Sequence, residues 1–538
     1  MFTVKSILRR ELGSPLALGL VGSLFVALGS LAVGWLGPGS NVRSWAFIDA
    51  LRTNDFLVHT ATIVVIAASL LLVIAWLKLG VQLRRNPADA LRRVIVAAAV
   101  WAAPLIVAVP LYSRDLFAYV GQGRLMIGGF NPYLDGISAI QGWFNIGVDP
   151  LWANAKTPYG PVYLWIEQVV VGAVGTSPIT AVALFRLLAV ISVAGLAFYA
   201  YRIARLRGND PAQVLWLVLA SPIIMFNFVV GGHNDALMLA FLVAGMYYAM
   251  IKRPIIATLL VTAAVGVKPI ALVALPIVGI LWAGQNRTLR STLKYWLATA
   301  AIAFGVLGVL GFFMNVGFGW VFTLTTPGAV AHWYAPVNIL AIGAGAAFSA
   351  LGLDAEIGQN IVKYAAMAVM AVIVCWLMLT KRTIDPLMRL SFAFAAVVLS
   401  SVVIHPWYAA WVIVLFAVSG VRVGLQTHLI VSGSIFFACV SIAEGMDISD
   451  AVQADPVAAV VRTVIISGGA VALIAAYCIH EDLSIGLLRQ RIAEARERRL
   501  VARASRAARP SAGGAAAGGV VPSTSPAPST APASRPSA

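Results

Sequence analysis

Runs of about 20 apolar residues recur along the chain from near its start to about residue 480. As helix, a run of that length spans the hydrocarbon core of a bilayer. Lipid offers no hydrogen bonds, so the backbone of each run must satisfy itself, which only helices and closed barrels achieve. A barrel would show short segments of alternating polarity, and none is present. The composition agrees. Of 538 residues, 60% are hydrophobic and 11% are charged, too few charges to cover a water-soluble surface of this size. The expected class is all-α: a polytopic bundle of about 14 spans.

The net charge of +17 suggests nucleic acid at first sight. The basic residues, however, cluster between apolar runs and in the tail, as the positive-inside rule requires, so no nucleic-acid partner is expected. Lys5, Arg9 and Arg10 precede the first run, Pro15 to Leu36, which is long for a signal core and lacks a clear cleavage site. Arg84, Arg85, Arg92 and Arg93 separate the second and third runs, roughly His59–Leu79 and Val94–Tyr112. Ser113 to about Thr176 then falls outside as the first large extracytoplasmic loop. Its inner part, Gly160–Val174, is short and apolar, and is open between a re-entrant segment and a span, as is 337–352. Arg202, Arg205 and Arg207, then Lys252 and Arg253, then Lys381 and Arg382 mark further inner loops. Both ends are expected in the cytoplasm. The domain reading is a membrane domain over 1–480, a basic segment over 481–509 and a tail over 510–538. Leu487 to Arg509 carries eight arginines and reads equally as an amphipathic helix on anionic headgroups or a solvated flank. The Ala, Gly, Pro and Ser of the tail read as disordered.

Three polar groups gather on the expected outer side. Ser113-Arg114-Asp115 follows the third run. As a helix from 115, it puts Asp115, Tyr119 and Gln122 on one face. Asp115 is a candidate general base, and helix capping is the plain alternative. Gly231-Gly232-His233-Asn234-Asp235 enters a span near 234–251. Its glycines admit close backbone approach, and a helix N-terminus attracts anions such as a lipid phosphate. Asp235 would repel one unless it binds a sugar hydroxyl. Capping by Asn234 or Asp235 is equally open. Lys268, before Pro269, interrupts the long run 254–283. At a helix centre in lipid a lysine costs about 2.5–3.5 kcal/mol, so it should be paired, at a cavity or at an interface. It reads as a phosphate ligand or a snorkelling side chain.

Aromatic and imidazole side chains are placed outside too: Tyr133, Tyr159, Trp333, Tyr334, His405, Trp407 and Tyr408. Sugar rings stack on such faces, and interfacial belts are the alternative. The histidines lack a paired metal spacing, and no Walker loop or dinucleotide fingerprint occurs, so neither metal nor cofactor is expected. Cys375, Cys439 and Cys478 lie in apolar runs and read as small core residues.

Taken in order, Ser113-Arg114-Asp115 with Tyr119 and Gln122, Asn131-Pro132-Tyr133, Thr157-Pro158-Tyr159-Gly160-Pro161, Gly231 to Asp235 and Val267-Lys268 resemble the actinobacterial α-(1→6)-mannopyranosyltransferases that use polyprenyl-phosphate-mannose. These are membrane glycosyltransferases of the C-type fold. The resemblance covers roughly 15–480 and excludes the tail. It implies that Asp115 is catalytic. Related enzymes of the fold carry paired acidic residues there; this chain has Arg114 beside a single carboxylate, which puts a two-carboxylate mechanism in doubt. The resemblance also implies an inverting transfer from a lipid-linked mannosyl phosphate to the 6-hydroxyl of a growing mannan on a phosphatidylinositol-mannoside anchor, the core of lipomannan and lipoarabinomannan. Lys268, His233, Asn234, Asp235, Arg114, Tyr119 and Gln122 are the expected donor-binding set; the aromatic and imidazole residues above are the expected acceptor set. Another polyprenyl-phosphate-sugar transferase of the same fold and a lipid-linked-sugar flippase are the rival readings. A transporter needs midplane polar sites, often with repeat symmetry, and no internal repeat is evident.

Overall fold

A computed structural model describes residues 14–175, 177–323, 331–380, 384–420, 425–446 and 467–478, with residue 496. The expected basic segment and tail, Lys5, Arg9, Arg10, Lys381 and Arg382 lie outside these, apart from residue 496. The structure described below belongs to one compact unit within Met1–Ser484.

Helices dominate, and no strand occurs among the described residues. In order they are α1 (Pro15–Val33), α2 (Ala46–Thr53), α3 (Asp55–Arg85), α4 (Ala90–Ile106), α5 (Asp115–Ile127), α6 (Pro161–Val174), α7 (Pro178–Arg207) and α8 (Pro211–Val218). Then come α9 (Pro222–Val230), α10 (Asp235–Met250), α11 (Pro254–Val267), α12 (Pro269–Ala283), α13 (Leu289–Phe313), α14 (Pro336–Ala350) and α15 (Ala355–Leu379). The series closes with α16 (Pro386–Leu399), α17 (Pro406–Gly420), α18 (Leu425–Met446) and α19 (Ser467–Cys478). Proline opens many of them, at the one helical position where its missing N–H costs nothing. Side chains cap others: Asn54 accepts from Leu57 N, Asp210 from Ala212 N, and Thr288 forms a capping box with Ser291.

Six helices are long and apolar enough to cross a membrane, and a seventh span arises if α8 and α9, bent by 40°, count as one. Most other expected spans fall on apolar helices of 10–17 residues, and the third run falls on α4, Ala90–Ile106, which carries Pro104 inside it. α6 has 14 residues, about 21 Å at 1.5 Å per residue, short of the roughly 30 Å hydrocarbon core. The run 254–283 does break at Lys268: α11 ends at Val267 and α12 starts at Pro269.

Small residues set the close contacts, as expected where lipid offers no hydrophobic drive between helices. Gly22 and Gly29 of α1 bring its backbone against Ala68 and Val65 of α3. α3 and α8 are locked by Trp76 and Trp216, stacked at 4.7 Å; each indole N–H donates to the other's carbonyl, at 3.0 and 2.9 Å. Arg186, buried in α7, donates to the carbonyls of Ile106 and Ala108 after α4 and to Val230 at 2.8 Å. It thereby satisfies helix-end acceptors and fixes the ends of α4 and α9 beside the start of α5.

Candidate active site

Asp115 opens α5. Its N–H donates to Ser113 Oγ at 3.1 Å, and Arg114 is the N-cap residue without a side-chain cap bond. The carboxylate is therefore not used for capping, and the helix dipole favours its charge there. His233 arrives from the other side through an unusual turn. The last six residues of α9, Met225–Val230, are π-helical, so Gly231 N donates back to Phe226 O and His233 N to Asn227 O. Such wide turns recur at functional sites. Gly232 has φ +63°, and a Cβ there would stand 2.6 Å from Leu116, so only glycine lets the turn close on α5.

The result is a contact of 3.3 Å between His233 Nδ1 and Asp115 Oδ2, with the carboxylate side chain 14% exposed and the imidazole fully buried. Asp115 and Gln122, two turns deeper on α5, line a cavity that opens to the surface. Tyr159, Lys268, His405 and Tyr408 line it too. Gly160 makes that wall possible: its N–H donates to Val267 O, and a Cβ would stand 2.5 Å from Gly266 O.

Burial alone would raise the Asp115 carboxyl. The His233 contact and the positive charge of Lys268 outweigh burial and hold it below the ordinary carboxylate range. Burial pushes His405 well below its ordinary 6.5, with His332 acting in the same sense and Asp115 against it. His405 is thus a neutral imidazole near pH 7. Its Nδ1, both ring nitrogens of His233 and both amide atoms of Asn234 are buried without a well-formed hydrogen bond among the described residues, His233 Nδ1 meeting Asp115 as an ion-pair contact. Buried polar atoms are costly unless paired, so the region is built to receive polar groups.

Several expected site residues serve elsewhere. Lys268 Nζ lies 2.6 Å from Asp235 Oδ2, and Trp411 Nε1 donates to Asp235 Oδ1 at 2.7 Å. Each Asp235 oxygen thus has a partner within the protein, and the ion pair gives the intramembrane lysine its counter-charge. Losing one member of such a buried pair costs roughly 3–5 kcal/mol. Neither Asn234 nor Asp235 caps α10 through its side chain. Asn234 N instead donates to Tyr119 Oη at 3.3 Å, and Tyr119 packs among Tyr159, Tyr163 and Phe185 rather than lining the cavity. Arg114 stacks on Trp35 at 3.6 Å and pairs with Asp149 at 3.8 Å, and it does not line the cavity.

Trp407 reaches the cavity with its faces covered. His233 stacks on it at 3.8 Å and His405 at 4.3 Å; two rings that close cannot share one face, so the indole is sandwiched. Tyr133 donates to Tyr159 O at 2.8 Å and Tyr334 to Ile404 O at 2.9 Å, so both act as braces. Trp333 is 61% exposed and outside the cavity.

Other residues enter that the sequence reading passed over. Trp152 and Lys156 line the cavity from the loop before Tyr159. Glu167 of α6 is fully buried, 3.0 Å from the Gln122 amide nitrogen when that amide is turned toward it. A carboxylate inside the apolar stretch Gly160–Val174 was a legible signal. Among the described residues, no three His, Cys, Asp or Glu gather as a metal site.

Comparison with known proteins adds identity to this geometry. Residues 16–284 match the family model for the alpha-(1->6)-mannopyranosyltransferase N-terminal domain, and residues 337–473 match the MptB C-terminal domain. The chain is 28% identical to a probable alpha-(1->6)-mannopyranosyltransferase of Mycolicibacterium smegmatis, over 76% of this chain and 79% of that one. It is 29% identical to alpha-(1->6)-mannopyranosyltransferase A of Corynebacterium glutamicum, over 71% of this chain and 84% of the relative. No solved structure matches.

Proposed function

Because the chain belongs to the alpha-(1->6)-mannopyranosyltransferase family, a family of glycosyltransferases, we propose that it carries out an inverting transfer of mannose from polyprenyl-phosphate-mannose. The acceptor is the 6-hydroxyl of a growing α-(1→6)-mannan on a phosphatidylinositol-mannoside anchor. The carrying observation is Asp115, ionised at the cavity with His233 at its back.

In this reading the 6-hydroxyl oxygen attacks the anomeric carbon and gives its proton to Asp115. The bond from that carbon to the phosphate oxygen breaks, and its electron pair stays on the phosphate. Inversion sets base and leaving group on opposite faces of the sugar. The activated sugar supplies the driving force, so no nucleotide is consumed. Tyr159 and Tyr408 offer the cavity's aromatic surfaces to acceptor sugars, and Gln122 with the neutral His405 offers polar atoms to hydroxyls.

The reading puts the site on the outer face of the plasma membrane, with both chain ends in the cytoplasm. Helix α10 supports it: Asp235 of the site is its first residue, and the basic pair Lys252-Arg253 follows just after its last. Sixteen residues separate the two by about 24 Å, and basic loops stay inside.

The test uses purified full-length protein, polyprenyl-phosphate-mannose and a short α-(1→6)-mannoside, followed by linkage analysis. An elongated product with a new α-(1→6) bond is expected. Folded protein that makes none, or that elongates equally well from GDP-mannose, would contradict the proposal.

A further inference from the structure

Resting on the lipid-phosphate donor of the preceding reading, we infer that Lys156, and not Lys268, is the cation that meets the donor phosphate and holds it as it leaves. Lys268 is the obvious candidate, being a lysine in an apolar run that lines the cavity. Its charge is already matched. Asp235 sits 2.6 Å from its ammonium, and the rings of Tyr159, Tyr408 and Trp411 surround it at 5.4–5.7 Å. A phosphate drawing Lys268 away would strand a fully buried carboxylate.

Lys156 is in the opposite state. It lines the same cavity, its side chain is exposed, and it has no hydrogen-bond or ion-pair partner among the described residues. Its backbone is nonetheless held. Thr157 N donates to Pro132 O at 3.0 Å, the Thr157 hydroxyl meets the Gln122 amide at 3.2 Å, and Ala155 N donates to Trp152 O at 3.2 Å. A pinned loop therefore carries a flexible cation at the cavity, with an ammonium's strong attraction for phosphate oxygens.

Charge accounting points the same way. Of the acidic and basic side chains at the site, the carboxylates of Asp115 and Asp235 face the single ammonium of Lys268 until Lys156 is added. The donor brings one negative charge. When the anomeric carbon–oxygen bond breaks, the electron pair remains on the phosphate, which leaves with a second. The proton goes to Asp115, so the new charge needs a cation on the phosphate side. Lys156 supplies it.

The test compares full-length wild type with Lys156→Gln and Lys156→Arg. In Lys156→Gln the donor KM should rise about tenfold, the size of one charge-assisted contact. Inhibition by the product polyprenyl phosphate should weaken more than donor use does, because the product carries the extra charge. The acceptor KM should stay within about twofold, and Lys156→Arg should keep most donor affinity. Donor KM and product inhibition both unchanged in Lys156→Gln would overturn the inference, as would equal effects on donor and acceptor. Direct binding of polyprenyl phosphate separates this from the broader reading. A wild type that makes no product contradicts the transfer reaction, whereas equal binding by wild type and Lys156→Gln contradicts Lys156 alone.

Discussion

His233 Nδ1 stands 3.3 Å from Asp115 Oδ2, so the carboxylate at the cavity is backed by a buried imidazole that never touches the cavity itself. The imidazole is pinned in turn by stacking on Trp407 at 3.8 Å. A base must be unprotonated to accept a proton. The relationship keeps Asp115 ionised in a place where burial would otherwise neutralise it.

The pH profile should show this. The Asp115 pKa is held below the ordinary carboxylate range by His233, with Lys268 adding to the effect. Activity should thus fall only as the solution becomes acidic enough to protonate it. In His233→Ala the contact that opposes burial is lost, the pKa rises, and the acid limb of kcat/KM moves to higher pH. Coincident acid limbs in variant and wild type would contradict the coupling.

Thermal unfolding should expose the Lys268–Asp235 pair. Lys268→Met alone leaves a fully buried carboxylate unpaired and should cost roughly 3–5 kcal/mol. Adding Asp235→Leu removes the stranded charge and should recover most of that loss. Additive losses in the double variant would show that the two residues do not stabilise each other.

Gly160→Ala tests the wall that carries Tyr159. The new methyl would stand 2.5 Å from Gly266 O and 2.6 Å from Val265 O, both rigid backbone. Overpacking of this kind costs about 1–3 kcal/mol, and the shifted loop should lower turnover as well. A variant with wild-type melting and wild-type rate would show that the close approach is not required.

Much of the fold was legible because lipid leaves the backbone little choice. Apolar run lengths and basic turns located most of the helices, down to the break at Lys268-Pro269. Asp115, Gln122, Tyr159, Lys268 and His405, which the sequence reading grouped on one expected side of the membrane, line one cavity. What was not legible was which polar group is committed to which. Asp235 and Lys268 are 33 residues apart, and Asp235 and Trp411 are 176 apart, so no helical spacing reports their union. The stack of His233 on Trp407 joins residues 174 apart in sequence, so no local spacing reports it. Lys156 passed unnoticed because a lysine in a loop is ordinary until a cavity is found beside it.

Asp115→Asn in the purified full-length protein reaches the core of the account. The amide keeps the shape of the side chain and removes its capacity to accept the proton. Mannose transfer should fall by about 10²–10⁴-fold, while thermal unfolding and donor binding stay close to wild type. A folded Asp115→Asn protein that elongates the acceptor at a near wild-type rate would contradict the assignment of Asp115 as the base.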